Sequence, residues 1–296
     1  MTKPVILLFS SPGICILSMY YQTGMTIQNN LKEFLDTKAD LYNHPSFIKD
    51  DPVSIPHRFT QKQDIEIAGF FAAILAWGNR KSIINSCDKL LRLMNNAPYN
   101  FIMNIDWNNN PEEMIIFNGF VHRTFNDMDL WHLMNFLKYH YKTCAQKSLE
   151  TAFTKWMLPG DMTVENALAG FHNYVFSYDE DAKEEKHCKK HIATPLKKSA
   201  CKKLNMFLRW MVRRDNNGVD FGIWKNISPA QLICPMDVHV IRVAKKLNLL
   251  NGNNKNTTAV QWQSAVALTS YLRTLDKDDP VKYDFALFGL GAMEHY

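Results

Sequence analysis

The feature that most constrains this chain is helical periodicity, present almost everywhere. In "DIEIAGFFAAILAWGNRKSIINSCDKLLRLM", from Asp64 to Met94, a strongly apolar first half gives way near Gly78 to an amphipathic second half. "DMDLWHLMNFLKYHYKTCAQ" and "SLETAFTKWML" repeat apolar residues three and four apart. "GDMTVENALAGFHNYVF" reads as a further helix with a capping Asp or Thr. Val/Ile/Thr alternation of strand length is scarce, so the expected fold class is all-α. With 296 residues and 46% hydrophobic content, the chain can bury a large core in one domain or two closely joined lobes.

Two segments fall outside this pattern. The first 24 residues contain "VILLFSSPGICILSMYY", which Pro12-Gly13 breaks and which falls short of a membrane span of about 20 residues. It also lacks a small-residue cleavage site. Residues 1–24 are therefore read as an N-terminal extension, with Met25 opening the helical protein. "SYDEDAKEEKHCKKHIATPLKKSA" is charged and weakly apolar, and is expected to be an exposed connection.

Cys15, Cys87, Cys144, Cys188, Cys201 and Cys234 are scattered without a CxxC pair. With no secretory signal they read as reduced thiols of a cytoplasmic protein. His187, Cys188 and His191 in "HCKKH" have the chemistry to ligate a metal, but no second cluster of similar spacing accompanies them. No metal and no cofactor are expected.

Two places carry chemical information. In "CPMDVHVIRVAKKLNLL" Asp237 stands between an apolar turn and a helix that is basic on its outer face. An Asp there caps the helix by accepting its orphan amide protons. In "KKSACKKLNMFLRWMVRR" Ala200, Leu204, Phe207, Leu208 and Met211 share one face. Lys198, Lys202, Arg209 and Arg213 fall opposite them within a stripe of about 60°. No acid lies between Lys197 and Arg214, so this positive ridge calls for phosphates or a buried acid facing it. Lys202, flanked by Lys203 and other cations, is the candidate nucleophile, because neighbouring positive charge favours the neutral amine. Lys203 is the fallback. The net charge of +5 permits a nucleic-acid partner without requiring one.

"MDVHVIRVAKKLNLL" resembles the active-site segment V-D-T-H-x-x-R-V of the helix-hairpin-helix DNA glycosylase superfamily, which includes endonuclease III. Asp237, His239, Arg242 and Val243 stand at matching spacing. "GFFAAILAWGNRKSIINSCDKL" is similar to an early helix-turn-helix whose loop faces the flipped base. Asn79 and Arg80 stand there after Gly78, where endonuclease III has a glutamine. The glycine-rich hairpin is replaced by "RRDNNGVDFGIWKNISPAQLI", and the four-cysteine iron–sulfur signature is absent. The layout of Lys202, Arg209 and Asp237 is more similar to an archaeal branch that excises oxidised guanine. That likeness also points to Asp284 and Phe288 in "DPVKYDFALFGLGAMEHY" as a base-contacting acid and a stacking ring. The similarity is discontinuous over roughly residues 60–290. The whole chain also resembles a bacterial family of hypothetical proteins, expected to share this ancestry.

The resemblance implies a two-lobed helical fold with the active-site cleft between lobes. Residues of about 70–190 would form one lobe, and 25–69 with 191–296 the other. It implies a base-excision N-glycosylase with Schiff-base lyase chemistry, in which Lys202 and Asp237 are catalytic. Lys198, Arg209, Arg213, His239 and Arg242 would contact the nucleic acid, and Asn79, Asp284 and Phe288 would form the base pocket. A monomer acting on DNA rather than RNA is expected, with no membrane association. Two other classes stay open: an inert nucleic-acid-binding relative, and a helical module docking an acidic protein partner.

Overall fold

The computed structural model describes residues 29–107, 109–110, 112–178, 187–250 and 261–296. The N-terminal extension read in the sequence lies outside them. The chain is mostly helical. Among the described residues there is no strand, only the isolated bridges His122–Phe125 and Ser199–Gln261. No helix among them is long and apolar enough to cross a membrane.

Helix α1 spans residues 29–42. Three 3-10 turns follow, Pro45–Asp50, Pro52–Ser54 and Pro56–Arg58, each opened by a proline whose missing N–H costs nothing at that position. Helix α2, Lys62–Ile74, is buried from Asp64 onward, as its apolar residues on every side require. It packs against α3 (Arg80–Leu93), α4 (Pro98–Asn104) and α9 (Lys202–Val212). The sequence break between α2 and α3 falls at Gly78, whose φ of +118° suits only glycine, and a Cβ there would meet Arg123 at 2.5 Å.

One charged side chain in α2 is fully enclosed. Glu66 accepts hydrogen bonds from Tyr141 Oη at 2.8 Å, Leu149 N at 3.0 Å, Trp224 Nε1 at 2.6 Å and Ser148 Oγ at 2.5 Å. Burial raises its pKa against those four donors. The acid thereby ties three distant segments to the central helix.

A short α5 (Glu112–Ile115) precedes α6 (Asp127–Lys138), which runs into the π-helical turn Tyr139–Thr143. Asn126 and Asp129 form a reciprocal capping box at the start of α6. The single helix expected over "SLETAFTKWML" shrinks to α7, Thr151–Thr154. Helix α8, Glu165–Val175, starts after Val164 without a side-chain cap. Of the two expected caps, Asp161 accepts from Leu158 N and Asn166 Nδ2, and Thr163 Oγ1 accepts from Glu165 N at 3.4 Å.

The charged connection is only partly exposed. Residues 179–186 lie outside the description, but after them Cys188 and Ile192 are fully buried and Thr194 and Pro195 nearly so. Their contacts are with elements distant in sequence, which charge patterning along the segment does not reveal.

The C-terminal part contributes α10 (Val238–Lys246), α11 (Trp262–Leu275) and α12 (Tyr283–Ala292). Helix α12 packs on α10 and on α1, where Gly289 admits the ring of Tyr42. Asp36 accepts from Tyr283 Oη at 2.9 Å, and Lys38 pairs with Glu294 at 2.7 Å, so α1 is held against α12.

The apolar face read on α9 is buried as expected: Leu204, Phe207, Leu208 and Met211 are at most 1% exposed. Its opposite face is not a solvated ridge. Arg209 and Arg213 are also buried, and carboxylates from other segments neutralise them. The residues after α9, from Arg213 to Asp237, are irregular apart from the 3-10 turn Pro229–Gln231. They fold back over the helix end, with Phe221 N and Trp224 N donating to the carbonyls of Trp210 and Met211.

Candidate active site

A cavity of about 310 Å³ opens between α3, α9, α10 and α12. It is lined by Gly78, Asn79, Arg80, Asp51, Lys202, Asp237, His239 and Phe288, among others. A narrow inner arm of about 40 Å³ shares Asp51, Lys202, Met206, Asp237 and Phe288 with it and reaches Phe47, Arg209 and Asp284. The outer volume lies at the lower end of the range of about 300–1,000 Å³ usual for ligand sites.

The polar lining comes from helix N-terminal ends. Asn79 caps α3 by accepting from Ser82 N at 2.7 Å. Asp51 caps the turn Pro52–Ser54 by accepting from Val53 N at 3.0 Å. Lys202 is the first residue of α9, and Asp284 stands in the first turn of α12. Asp237 caps α10 as its sequence context requires: Oδ1 accepts from His239 N and Val240 N, both at 2.9 Å. Both cap bonds use the one oxygen.

A cation at a helix N-terminus opposes the helix dipole, at a cost of about 0.3–1 kcal/mol. The carboxylates of Asp51, Asp237 and Asp284 on the same lining offset that cost for Lys202. Lys203 points elsewhere. Its amine donates to Ile74 O at the C-terminal end of α2, and burial together with the charge of Lys202 lowers its pKa to about 8. It does not line the cavity, so of the two candidate amines only Lys202 meets Asp237 there.

Arg209 forms the floor of the inner arm. It pairs with Asp220 at 3.3 Å and with Asp284, and its guanidinium lies 4.3 Å from the centre of the Phe285 ring. Burial opposes its charge, but Asp220, Asp284 and Asp51 outweigh that and raise its pKa. Asp284 is raised to about 6: burial and the charge of Asp237 push it up, and Arg209 pulls it down. Burial likewise raises Asp51. Cys234 lies with its sulfur 3.9 Å from Asp284 Oδ1, and burial pushes its thiol well up.

Phe288 lies edge-on to Phe47 at 6.2 Å, with the Arg80 guanidinium 5.2 Å from its centre. Of the sequence-read residues, Lys202, Asp237, Arg209, Asp284, Phe288, Asn79 and His239 thus meet at one cavity.

The cations and His239 differ in what holds them. Arg213 is 4% exposed and bonded to Asp215, Asp220 and Asp279, so its guanidinium is sealed inside the protein and is not a phosphate ligand. Arg209 is accessible only through the inner arm. Arg242 donates to the carbonyls of Gly291 and Tyr296, and His239 Nδ1 lies 3.1 Å from Gly291 O. Both fasten α10 to the end of α12, Arg242 while staying exposed; of the stripe on α9, Lys198 is exposed and Lys202 half-buried at the cavity.

Asp51, Phe47 and the exposed Trp77 beside the lining were not read from the sequence, and Arg80 was noted beside Asn79 without a role. Only Asp51 left a local signal there, as an acid directly before Pro52.

The fold and cavity define an all-helical protein with a polar pocket built at helix starts. Residues 51–293 match the family described as Protein of unknown function (DUF2400), and the chain belongs to that family. The matched span includes every residue lining the cavity except Phe47. No curated protein and no solved structure matches the chain.

Proposed function

We propose that the protein is a nucleic-acid N-glycosylase with Schiff-base lyase chemistry, acting on a damaged base in DNA. The observation that carries this reading is the meeting of Lys202, Asp237, Asp284 and Phe288 at one cavity, although they come from three separate helices. An amine and a carboxylate lining one cavity can supply the nucleophile and the base for displacement at a sugar carbon.

A base inside a duplex is out of reach, so the nucleotide flips into the cavity at a cost of a few kcal/mol. Phe288 stacks on it and Asp284 reads its edge. Lys202 Nζ gives up a proton to the Oδ2 of Asp237 and bonds to C1′. The C1′–N bond breaks, and the base leaves with the electron pair and takes up a proton. The secondary ammonium so formed gives up one proton to the departing base, and its lone pair then expels the ring oxygen, which takes the proton held by Asp237 as the sugar opens to a Schiff base. Recharged by that transfer, the Asp237 carboxylate stabilises the positive charge of the Schiff base. Trp77, 49% exposed beside the entrance, is suited to stack against bases next to the one removed.

Borohydride reduction tests the reading, because it traps a Schiff base as a stable protein–DNA adduct. Duplexes with an abasic site, oxidised purines or oxidised pyrimidines form the panel. The expected result is an adduct with at least one of them. Absence of adduct and of base release across the panel, with duplex binding intact, leaves an inert binding protein instead.

A further inference from the structure

A second cluster of ligating groups lies outside this cavity. Asp129, in the first turn of α6, is 1% exposed at its side chain. Its Oδ1 lies 2.9 Å from Nδ1 of His187, and its Oδ2 3.3 Å from Nε2 of His191. The three donor atoms all fall within 4.8 Å of one another. The two histidines flank the 3-10 turn Cys188–Lys190, at the H-x3-H spacing common among zinc ligands. We propose that Asp129, His187 and His191 form a structural site for a divalent transition-metal ion, zinc above all, that fastens this turn to α6.

Donor geometry supports the assignment. Tetrahedral zinc with nitrogen and oxygen ligands at about 2.0–2.1 Å separates those ligands by roughly 3.3 Å. One oxygen, Asp129 Oδ2, lies 3.3 Å from His191 Nε2 and 3.0 Å from His187 Nδ1, at and just under that value. His191 Nε2 also lies 3.2 Å from the carbonyl oxygen of Thr124. One ring N–H cannot serve two acceptors well, whereas a cation on the nitrogen's lone pair draws in both oxygens. Thr124 O then supplies the fourth donor.

Donor chemistry selects the ion, since two imidazoles disfavour magnesium and calcium, which prefer all-oxygen shells. Cys188 is no ligand, despite its place between the histidines: its sulfur turns to the backbone oxygen of Asp129 at 3.8 Å. Lys190 Nζ lies 2.6 Å from Nε2 of His187 and donates to it, so in the metal-free ring the proton sits on Nδ1. Metal on Nδ1 moves that proton to Nε2, and the exposed Lys190 swings away.

The test uses the full chain, stripped with a chelator and titrated with zinc chloride against a chromophoric competitor. One zinc per chain is expected, with a Kd of about 1 μM or tighter. Cobalt should give the visible bands of a tetrahedral site without a thiolate charge-transfer band. His187→Ala, at an exposed position where folding is safe, should weaken zinc binding by about 100-fold or more. Asp129→Asn keeps an oxygen for the capping box and should weaken it comparably. No zinc binding up to about 100 μM, a thiolate band, or wild-type affinity in either variant overturns the site.

Discussion

Lys203 reaches from the first turn of α9 to the carbonyl oxygen of Ile74, at the last turn of α2, over 2.5 Å. A lysine amine at a helix C-terminus complements the dipole there. It also separates two adjacent lysines into different jobs, one joining helices and one facing the cavity. The joining lysine leaves a mark on stability.

Folding lowers the pKa of Lys203 from the ordinary lysine value to about 8. Between pH 8 and about 10 this lysine therefore binds more protons in the unfolded state, and its own contribution to stability rises with pH. The charged amine costs roughly 2–3 kcal/mol below pH 8. Lys203→Met should remove that rise, seen by comparing urea denaturation of wild type and variant at pH 7 and pH 10. Parallel pH profiles in the two proteins would contradict it.

Asp237→Asn separates capping from chemistry. Asn caps about as well as Asp, so folding and duplex affinity should stay near wild type. Base excision should fall by roughly 100-fold or more if the carboxylate stabilises a cationic transition state. Lys202→Gln should lose the borohydride adduct while keeping most of the affinity. Full activity in the first variant together with trapping in the second would end the lysine–aspartate mechanism.

Arg213 and Lys198 belong to the same sequence stripe and should behave oppositely. Arg213→Leu leaves Asp215, Asp220 and Asp279 without their shared cation, and should cost about 3–5 kcal/mol of stability. The salt dependence of duplex binding at a temperature where it stays folded should not change. Lys198 has φ of +61°, which Asn tolerates, so Lys198→Asn should fold normally. It should flatten the slope of log affinity against log salt by about 0.9. Equal slopes in wild type and Lys198→Asn would take that residue off the nucleic-acid surface.

Gly289 is where α12 admits Tyr42. A Cβ there would stand 2.1 Å from the ring, so Gly289→Ala should destabilise by about 1–3 kcal/mol through overpacking. Combining it with Tyr42→Ala should cost less than the two changes added together. Additive losses in thermal melts would show that the ring is free to move aside.

Periodicity in the sequence carried the helical fold, because burial of an apolar face leaves its trace every three to four residues. Asp237 was legible for a similar reason: a cap is local, and its hydrogen bonds end within three residues. The meaning of Arg209 and Arg213 was not. Their partners Asp220, Asp279 and Asp284 come from an irregular segment and from the chain's last described part, and no local rule pairs them. Asp129 escaped notice beside His187 and His191 for the same reason, lying on another helix.

The Arg209–Asp284 pair also has a mechanical side. Gly291 lets the α12 backbone sit against His239, so α10 and α12 move as one block carrying Asp237, Asp284 and Phe288. Arg209 latches that block to α9. Widening the inner arm must first stretch a buried ion pair, whereas the 76–80 side of the entrance is held by the partly exposed pair of Arg80 with Asp51 at 3.8 Å and by the Arg80 guanidinium lying over Phe288. The pocket is therefore fastened by a buried pair at its floor and by a longer, partly exposed pair at its lip, which water screens more strongly.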